Sequence, residues 1–344
     1  MFKKLLTLIA VLTTILSMAQ GVTDRPSLKE DSSKISIYPY VFPIMGQKVQ
    51  NLGFNLPKPH GVMLNTIFGR QNLELNNLQV GFNDSPLINL DSIISFDQVE
   101  VLATTVNMRI DTWVLPFLDL YAIGGYNYAN TSIKIIEPFI IETNPTTNGA
   151  YLGLGATLAG GTGPMFWSFD GNHVWTFSDK LQKPATLVTL GARAGPIWRF
   201  KNKPEQNFVL WTGFLYSKLN SETVGIISFT DVFPDAGSGA DDLQGRLDEW
   251  YEGLKDWEQV AYEGIYNRVS QGLDDVSDNI DDATIRYEME KSIVRPVNLI
   301  IGAQWQISPE WQLRGEAQIF GDRYIGLLSI NYRFGLKGHN LFSN

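Results

Sequence analysis

The sequence predicts an all-β chain: an antiparallel transmembrane β-barrel of about ten strands, alternatively twelve, with an α-helical insert in one extracellular loop. Three features predict it. The N-terminus reads as an export signal, the stretch from Val297 to Phe334 runs as three strands with one greasy and one wet face, and short connections alternate with long ones.

The order along the chain supports each part. Lys3 and Lys4 precede an apolar run from Leu5 to Leu16, and Ser17-Met18-Ala19 supplies a small-x-small cleavage site. Residues 1–19 are therefore expected to be a signal peptide, with Gln20 beginning the mature chain and residues 20–56 forming a periplasmic segment. The run is shorter than the ~20 residues of a spanning helix. No cysteine occurs anywhere, which excludes a lipidated cysteine, disulfides and thiolate metal sites. Beyond the signal no apolar stretch is long enough for a helical span, so any crossing falls to strands closed into a barrel. Charged residues are 18%, below the ~25% usual for soluble domains, and glycine is abundant at 31.

Strand side chains alternate between faces, so a period of two separates a lipid face from a polar one. In Trp311–Phe320 the residues Trp311, Leu313, Gly315, Ala317 and Ile319 oppose Gln312, Arg314, Glu316 and Gln318. Val297–Ile307 and Tyr324–Phe334 repeat the pattern. Earlier strands are expected at Gly61–Gly69, Val99–Ile110, Leu118–Tyr128, Ala150–Gly160, Met165–Phe177, Thr186–Phe200 and Asn207–Ser217. Ile35–Phe42 and Asn76–Phe82 supply the alternative extra pair. Connections at Asp111–Phe117, Gly161–Pro164, Lys201–Gln206 and Ser308–Glu310 are short. Arg70–Gln98, Ala129–Gly149, Ser178–Ala185 and Lys218–Pro296 are long, and Gly321–Arg323 is the short exception. Segregation of loop lengths by side is a membrane-barrel trait.

The signal peptide, the paired hairpins and the closing strand Leu328-x-Ile330-x-Tyr332-x-Phe334 together resemble the outer-membrane β-barrel proteins of Gram-negative bacteria. The resemblance covers residues 57–335, with 336–344 as a tail beyond the usual terminal phenylalanine. It implies location in the bacterial outer membrane after Sec-type export, contact with outer-membrane lipid and lipopolysaccharide, and handling of the last strand by the barrel-assembly machinery.

Net charge is −9, and residues 231–294 hold 17 acidic against 5 basic side chains, so the acidity belongs to that segment. Within it Leu243, Leu247, Trp250, Leu254, Trp257, Ala261, Ile265, Val269, Leu273, Val276, Ile280 and Ala283 recur at helical spacing. Asp241 and Asp242 suit a helix start, while Gly253, Gly264 and Gly272 favour a bent helix or a helical hairpin. Three strands separate the insert from the C-terminus, which puts the two on opposite sides of the membrane. Trp250, Trp257, Asp274, Asp275 and Asp278 are its candidate surface residues for a partner, a lid or a plug; as a structural feature alone it is a solvated loop packed on the rim.

The inward faces are expected to carry Arg109, Asp119, Asp170, Arg193, Arg199, Arg314, Glu316 and Arg333, either lining a pore or pairing across a narrow lumen. Catalytic signals are weak. Asp170 and His173 fall on opposite faces of one strand, His173 on the lipid side with Trp167, Phe169 and Trp175. Gly153–Gly163 lacks the lysine of a phosphate loop, and the insert's carboxylates lack calcium-loop order. No enzyme activity, cofactor, metal or nucleic-acid partner is expected. The function expected is a porin-like, passive small-solute channel; the alternative is a closed scaffold presenting residues 231–294 to a surface partner. An outer-membrane enzyme ranks third.

Overall fold

The computed structural model describes residues 37–52, 56–179, 181, 183–219, 222–232, 239–278, 280 and 282–339. The expected signal peptide lies outside them. Fourteen strands run in chain order: β1 (His60–Phe82), β2 (Ile88–Asn89), β3 (Ser95–Leu115), β4 (Leu118–Glu137), β5 (Ile141–Thr143), β6 (Thr146–Thr162), β7 (Met165–Phe177), β8 (Ala185–Phe200), β9 (Lys203–Leu219), β10 (Glu222–Ser228), β11 (Thr284–Ile293), β12 (Val297–Gln306), β13 (Trp311–Phe320) and β14 (Arg323–Phe334). Four helices accompany them among the described residues: α1 (Gly46–Asn51), α2 (Phe229–Val232), α3 (Gly239–Glu252) and α4 (Asp256–Ser277).

Ten strands close the barrel in the order β1-β14-β13-β12-β9-β8-β7-β6-β4-β3, and antiparallel pairing of β3 with β1 completes the ring. β2, β5, β10 and β11 lie off the ring. Twelve barrel strands are thereby excluded. Asn76–Phe82 is the far half of β1, because no turn chemistry interrupts the chain after Gly69; the strand only bulges at Asn77, whose φ is 53°. Within Ile35–Phe42, the described part makes a single bridge, Tyr40 to Lys337. The connections at Arg70–Gln98 and Ala129–Gly149 likewise prove to be mostly strand.

The outer surface explains the alternation. Leu102, Val106, Leu152, Leu154, Leu190, Ile301, Leu313 and Leu328 stand exposed on it, several about 60% bare. Trp198, Phe200, Trp305, Trp311 and Tyr332 ring one end of this belt, and Tyr126, Tyr128, Phe177, Phe320 and Tyr324 ring the other. An apolar band of this size in water would aggregate; between aromatic girdles it matches a bilayer.

The helical segment is a hairpin. It breaks at Gly253, while Gly264 and Gly272 lie inside α4. Gly272 is needed there because a side chain would run into the Phe82 ring. Within residues 231–294 the helices end at Ser277, and Thr284–Ile293 is strand β11, so the last part of the expected helical insert is sheet. β11 pairs onto β1 beyond the barrel and β10 pairs onto β11, making a second tier. Phe82, Ile227, Phe229, Leu243, Leu247, Leu273, Val276 and Ile285 form its buried core. Tyr287, packed against that core, and Ile285 lie on the same face of β11 as Ile293, and Ile293 lines the barrel cavity. The helices thus pack on the face that continues the lumen wall. Thr143 of β5 donates to the Val232 carbonyl at 2.5 Å, and Leu181 of the β7–β8 connection bridges to Gly225 of β10. The tier therefore reaches across the mouth from β1 to the far side of the ring.

The opposite end is covered differently. Residues 37–52 fold against the tail: the Val41 and Gly338 amides donate to the Leu336 and Pro39 carbonyls, and the Ile44 amide donates to the Val114 carbonyl at 2.8 Å. Tyr38 donates its amide to Gln47 Oε1 at 2.7 Å and its hydroxyl to the Phe42 carbonyl. Lys58, just before β1, pairs with Glu310 in the β12–β13 turn at 2.6 Å. That bond holds the Lys58 ammonium above its ordinary range and the Glu310 carboxyl below its own.

Candidate functional site

All ten barrel strands contribute side chains to one cavity of about 2220 Å³ that runs along the lumen. Tyr40, Asn51 and Leu52 line it at the tail end, and Leu187, Leu219 and Ile293 at the helix end. The period-two pattern sends Thr105, Asn107, Thr189, Gln304 and Gln318 inward alongside apolar side chains such as Ile67, Val101, Ile123, Phe166 and Leu215, so the lining is mixed. Hydrogen bonds tie it laterally: Ser329 donates to Asn65, Asn65 to Asn107 at 2.7 Å, and Thr105 to Asn127 at 2.7 Å.

Arg109, Asp119, Asp170, Arg193, Arg199, Arg314, Glu316 and Arg333 all border this cavity. Seven of them gather into two charge-balanced quartets. In the first, Glu316 accepts from Arg193 Nε at 2.6 Å and Nη2 at 2.9 Å, from Arg314 Nη2 at 2.9 Å and from Trp211 Nε1 at 3.0 Å. Arg193 Nη1 also reaches Asp170. Arg193 of β8 spans β9 and β12 to meet Glu316 of β13, passing over Gly213 and Gly302, their partners in register. A Cβ on Gly302 would come within 2.5 Å of the Trp211 ring, so glycine lets the indole lie flat there. In the second quartet Arg109 pairs with Asp119 at 2.5 Å and Asp111 at 3.8 Å, and Arg333 pairs with Asp111 at 3.2 Å. Asp111 sits over Gly61, where a Cβ would collide with its carboxylate. Arg199 stands apart at the tail-end mouth with no ion pair among the described residues.

Asp111 and Arg323, which line the cavity, and Trp211 and Ser217, which bond to its charged residues, escape the sequence reading. Asp111 and Arg323 fall in segments assigned to turns, yet extending the alternation of Arg109 and Ile325 by one step brings both inward. Trp211 and Ser217 carry no charge and give no signal from spacing alone.

On the insert, Trp250 packs against the apolar core, whereas Trp257 is 67% exposed and Asp274, Asp275 and Asp278 face solvent. Among the described residues no group of three His, Asp or Glu side chains could hold a metal ion. His173 stacks on Trp175 at 4.3 Å on the outer face, and His60 shares a hydrogen bond with Thr112 Oγ1. Neither imidazole is bonded to a carboxylate among the described residues, so no acid–base pair is assembled there.

No family model and no curated protein matches the chain. Among solved structures it is similar to the β domain of the Bordetella autotransporter BrkA, with 10% identity, 81% of this chain and 100% of that one covered, and a TM-score of 0.37. It is similar too to the translocator domain of the autotransporter NalP from Neisseria meningitidis, with 12% identity, 84% and 94% covered, and a TM-score of 0.33. An outer-membrane channel from Pseudomonas putida F1 shows 10% identity, 81% and 96% covered, and a TM-score of 0.30. By its own ring of ten strands, apolar belt and aromatic girdles, the chain is a transmembrane β-barrel of the outer-membrane type.

Proposed function

We propose that this chain is an integral protein of a Gram-negative outer membrane that passes small solutes through its lumen, with both mouths covered in the conformation described. The helix end faces the cell exterior on this reading, and the tail end faces the periplasm. The observation that carries it is the continuous cavity of about 2220 Å³, lined by polar and apolar side chains, to which every barrel strand contributes. A barrel whose own side chains filled its lumen would leave no such space. The two quartets pair their charges along the wall, narrowing the passage without closing it.

Conductance of the refolded full chain in a planar lipid bilayer tests this. Discrete current steps are expected, small in the intact protein and larger once residues 37–52 are removed. No current from the intact chain, from that deletion, or from deletion of Asp241–Ala283 would sink the channel.

One observation favours a second reading, a scaffold whose working part is the insert. Trp257 and Val260 of α4 are 67% and 76% exposed, away from the insert's core. Lipopolysaccharide or a surface partner meeting that acidic helical face would then define the activity. Binding retained by a non-conducting barrel and lost on Trp257→Ala would support it.

A further inference from the structure

We propose that the helix-end half of the lumen binds small solutes carrying a carboxylate or phosphate group, with Arg323 as the residue that holds the anion. This rests on the channel reading above and names its substrate class. The other buried arginines of the lumen are already engaged. Arg109, Arg193, Arg314 and Arg333 each pair with at least one carboxylate, and their two quartets are neutral.

Arg323 is different. It is 7% exposed and borders the cavity, yet no carboxylate pairs with it among the described residues. Its Nη1 donates to Ser217 Oγ at 2.7 Å, which fixes the direction of the guanidinium, while its buried Nε meets no acceptor. The adjacent Asp322 is bound to Arg295 Nε at 3.0 Å and points elsewhere. A buried guanidinium without a counter-charge is costly, and an entering anion would remove that cost.

The surroundings agree in sign and chemistry. Gln71 pairs in register with Arg323, and Thr189 with Ser217; both line the cavity, adding an amide and a hydroxyl at the same level. Lys291 of β11 is paired with Leu75, farther along the same edge of β1. It lies on the lumen-side face with Ile293, rests 5.7 Å from the Tyr287 ring, and has no carboxylate partner among the described residues. Two uncompensated cations thus succeed one another from the helix end inward. A guanidinium fork with a free N–H, flanked by neutral donors, suits a planar carboxylate or a phosphate, and repels cations.

Equilibrium dialysis of the detergent-folded full chain against labelled inorganic phosphate, with acetate as competitor, reads the site without requiring conduction. Saturable phosphate binding is expected, displaced by acetate. Arg323→Gln should weaken it at least about tenfold, the usual worth of a charged hydrogen bond. Arg323→Lys should keep part of it, and Lys201→Gln, in the tail-end turn, should leave it unchanged. Should Arg323→Gln fail to show the heat-dependent gel shift of a folded barrel, Lys291→Gln carries the test, with about threefold weaker binding expected. In a potassium chloride gradient the reversal potential should indicate anion preference and move toward zero in the same variants. Absence of phosphate and acetate binding, or wild-type binding in both Arg323→Gln and Lys291→Gln, overturns the site. Binding without any current retains the site and overturns the channel.

Discussion

The two ends of the barrel are covered by different physics. At the helix end the cover is a tier with its own apolar core, in which Phe229 and Val276 are fully buried and Leu247 nearly so. Each such side chain contributes ~1.5–3 kcal/mol on burial, and the core is extensive. At the tail end a short helix and an irregular segment are held to the barrel and its tail by a few backbone hydrogen bonds, each worth ~0.5–1.5 kcal/mol net. Opening the helix end means unfolding a small domain, whereas opening the tail end means releasing a segment. If the lumen conducts, its gate therefore belongs at the tail end, with the helix end acting as a fixed vestibule.

The strongest way to break this contrast is to place a charge in the tier's core. Val276→Asp buries an unpaired carboxylate and should destabilise the tier by ~4 kcal/mol or more. Limited proteolysis should then cut within residues 233–283 while the barrel keeps its heat-dependent gel shift. Loss of that shift would show that tier and barrel fold as one unit. Next in size is the frame both ends share. Arg193→Met strips Asp170 of its cation and leaves Glu316 with Arg314 and Trp211 alone; it should cost ~3–5 kcal/mol, lowering barrel melting without exposing either end to protease. A smaller effect is expected at the tail, where Gly335 packs so closely against the Tyr40 ring that any Cβ would displace it. Gly335→Val should dislodge residues 37–52, raise conductance severalfold and leave the barrel's melting unchanged. Unchanged current would move the gate to the helix end.

How far the sequence foretold this molecule differs between the same two ends. The barrel wall was legible because period-two alternation is imposed residue by residue by lipid on one side and water on the other. Met165–Phe177 and Trp311–Phe320 have their expected bounds, and the inward charges all border the cavity. The helical hairpin was legible from its spacing of three and four. Strands β10 and β11 were not, because their inner face meets a protein core rather than lipid and Lys291 and Glu288 blur the alternation. The tail-end cover left no pattern either: it depends on Tyr40, Val41 and Ile44 meeting Lys337, Leu336 and Val114, all distant in sequence. The two lumen residues in presumed turns, Asp111 and Arg323, were missed for a local reason. Their strands run on past the point where the apolar face ends.

The finest test of the contrast is pH, which acts on the weaker cover alone. Tyr38 is buried within the folded tail-end segment, and that burial, helped by the neighbouring Tyr40 phenol, pushes its own hydroxyl up to about 12. A phenol of ordinary pKa near 10 in the released segment loses its proton first, so release binds hydroxide and docking binds the proton. Tyr38 therefore contributes its docking stability below pH ~10 and loses it progressively as pH rises toward 12. Conductance should climb across that interval, since the ionised oxygen can no longer donate to the Phe42 carbonyl. Tyr38→Phe keeps the ring and removes the titrating group, so its current should stay flat over the same range. An equal rise in both proteins would assign the opening to another group and remove Tyr38 from the latch.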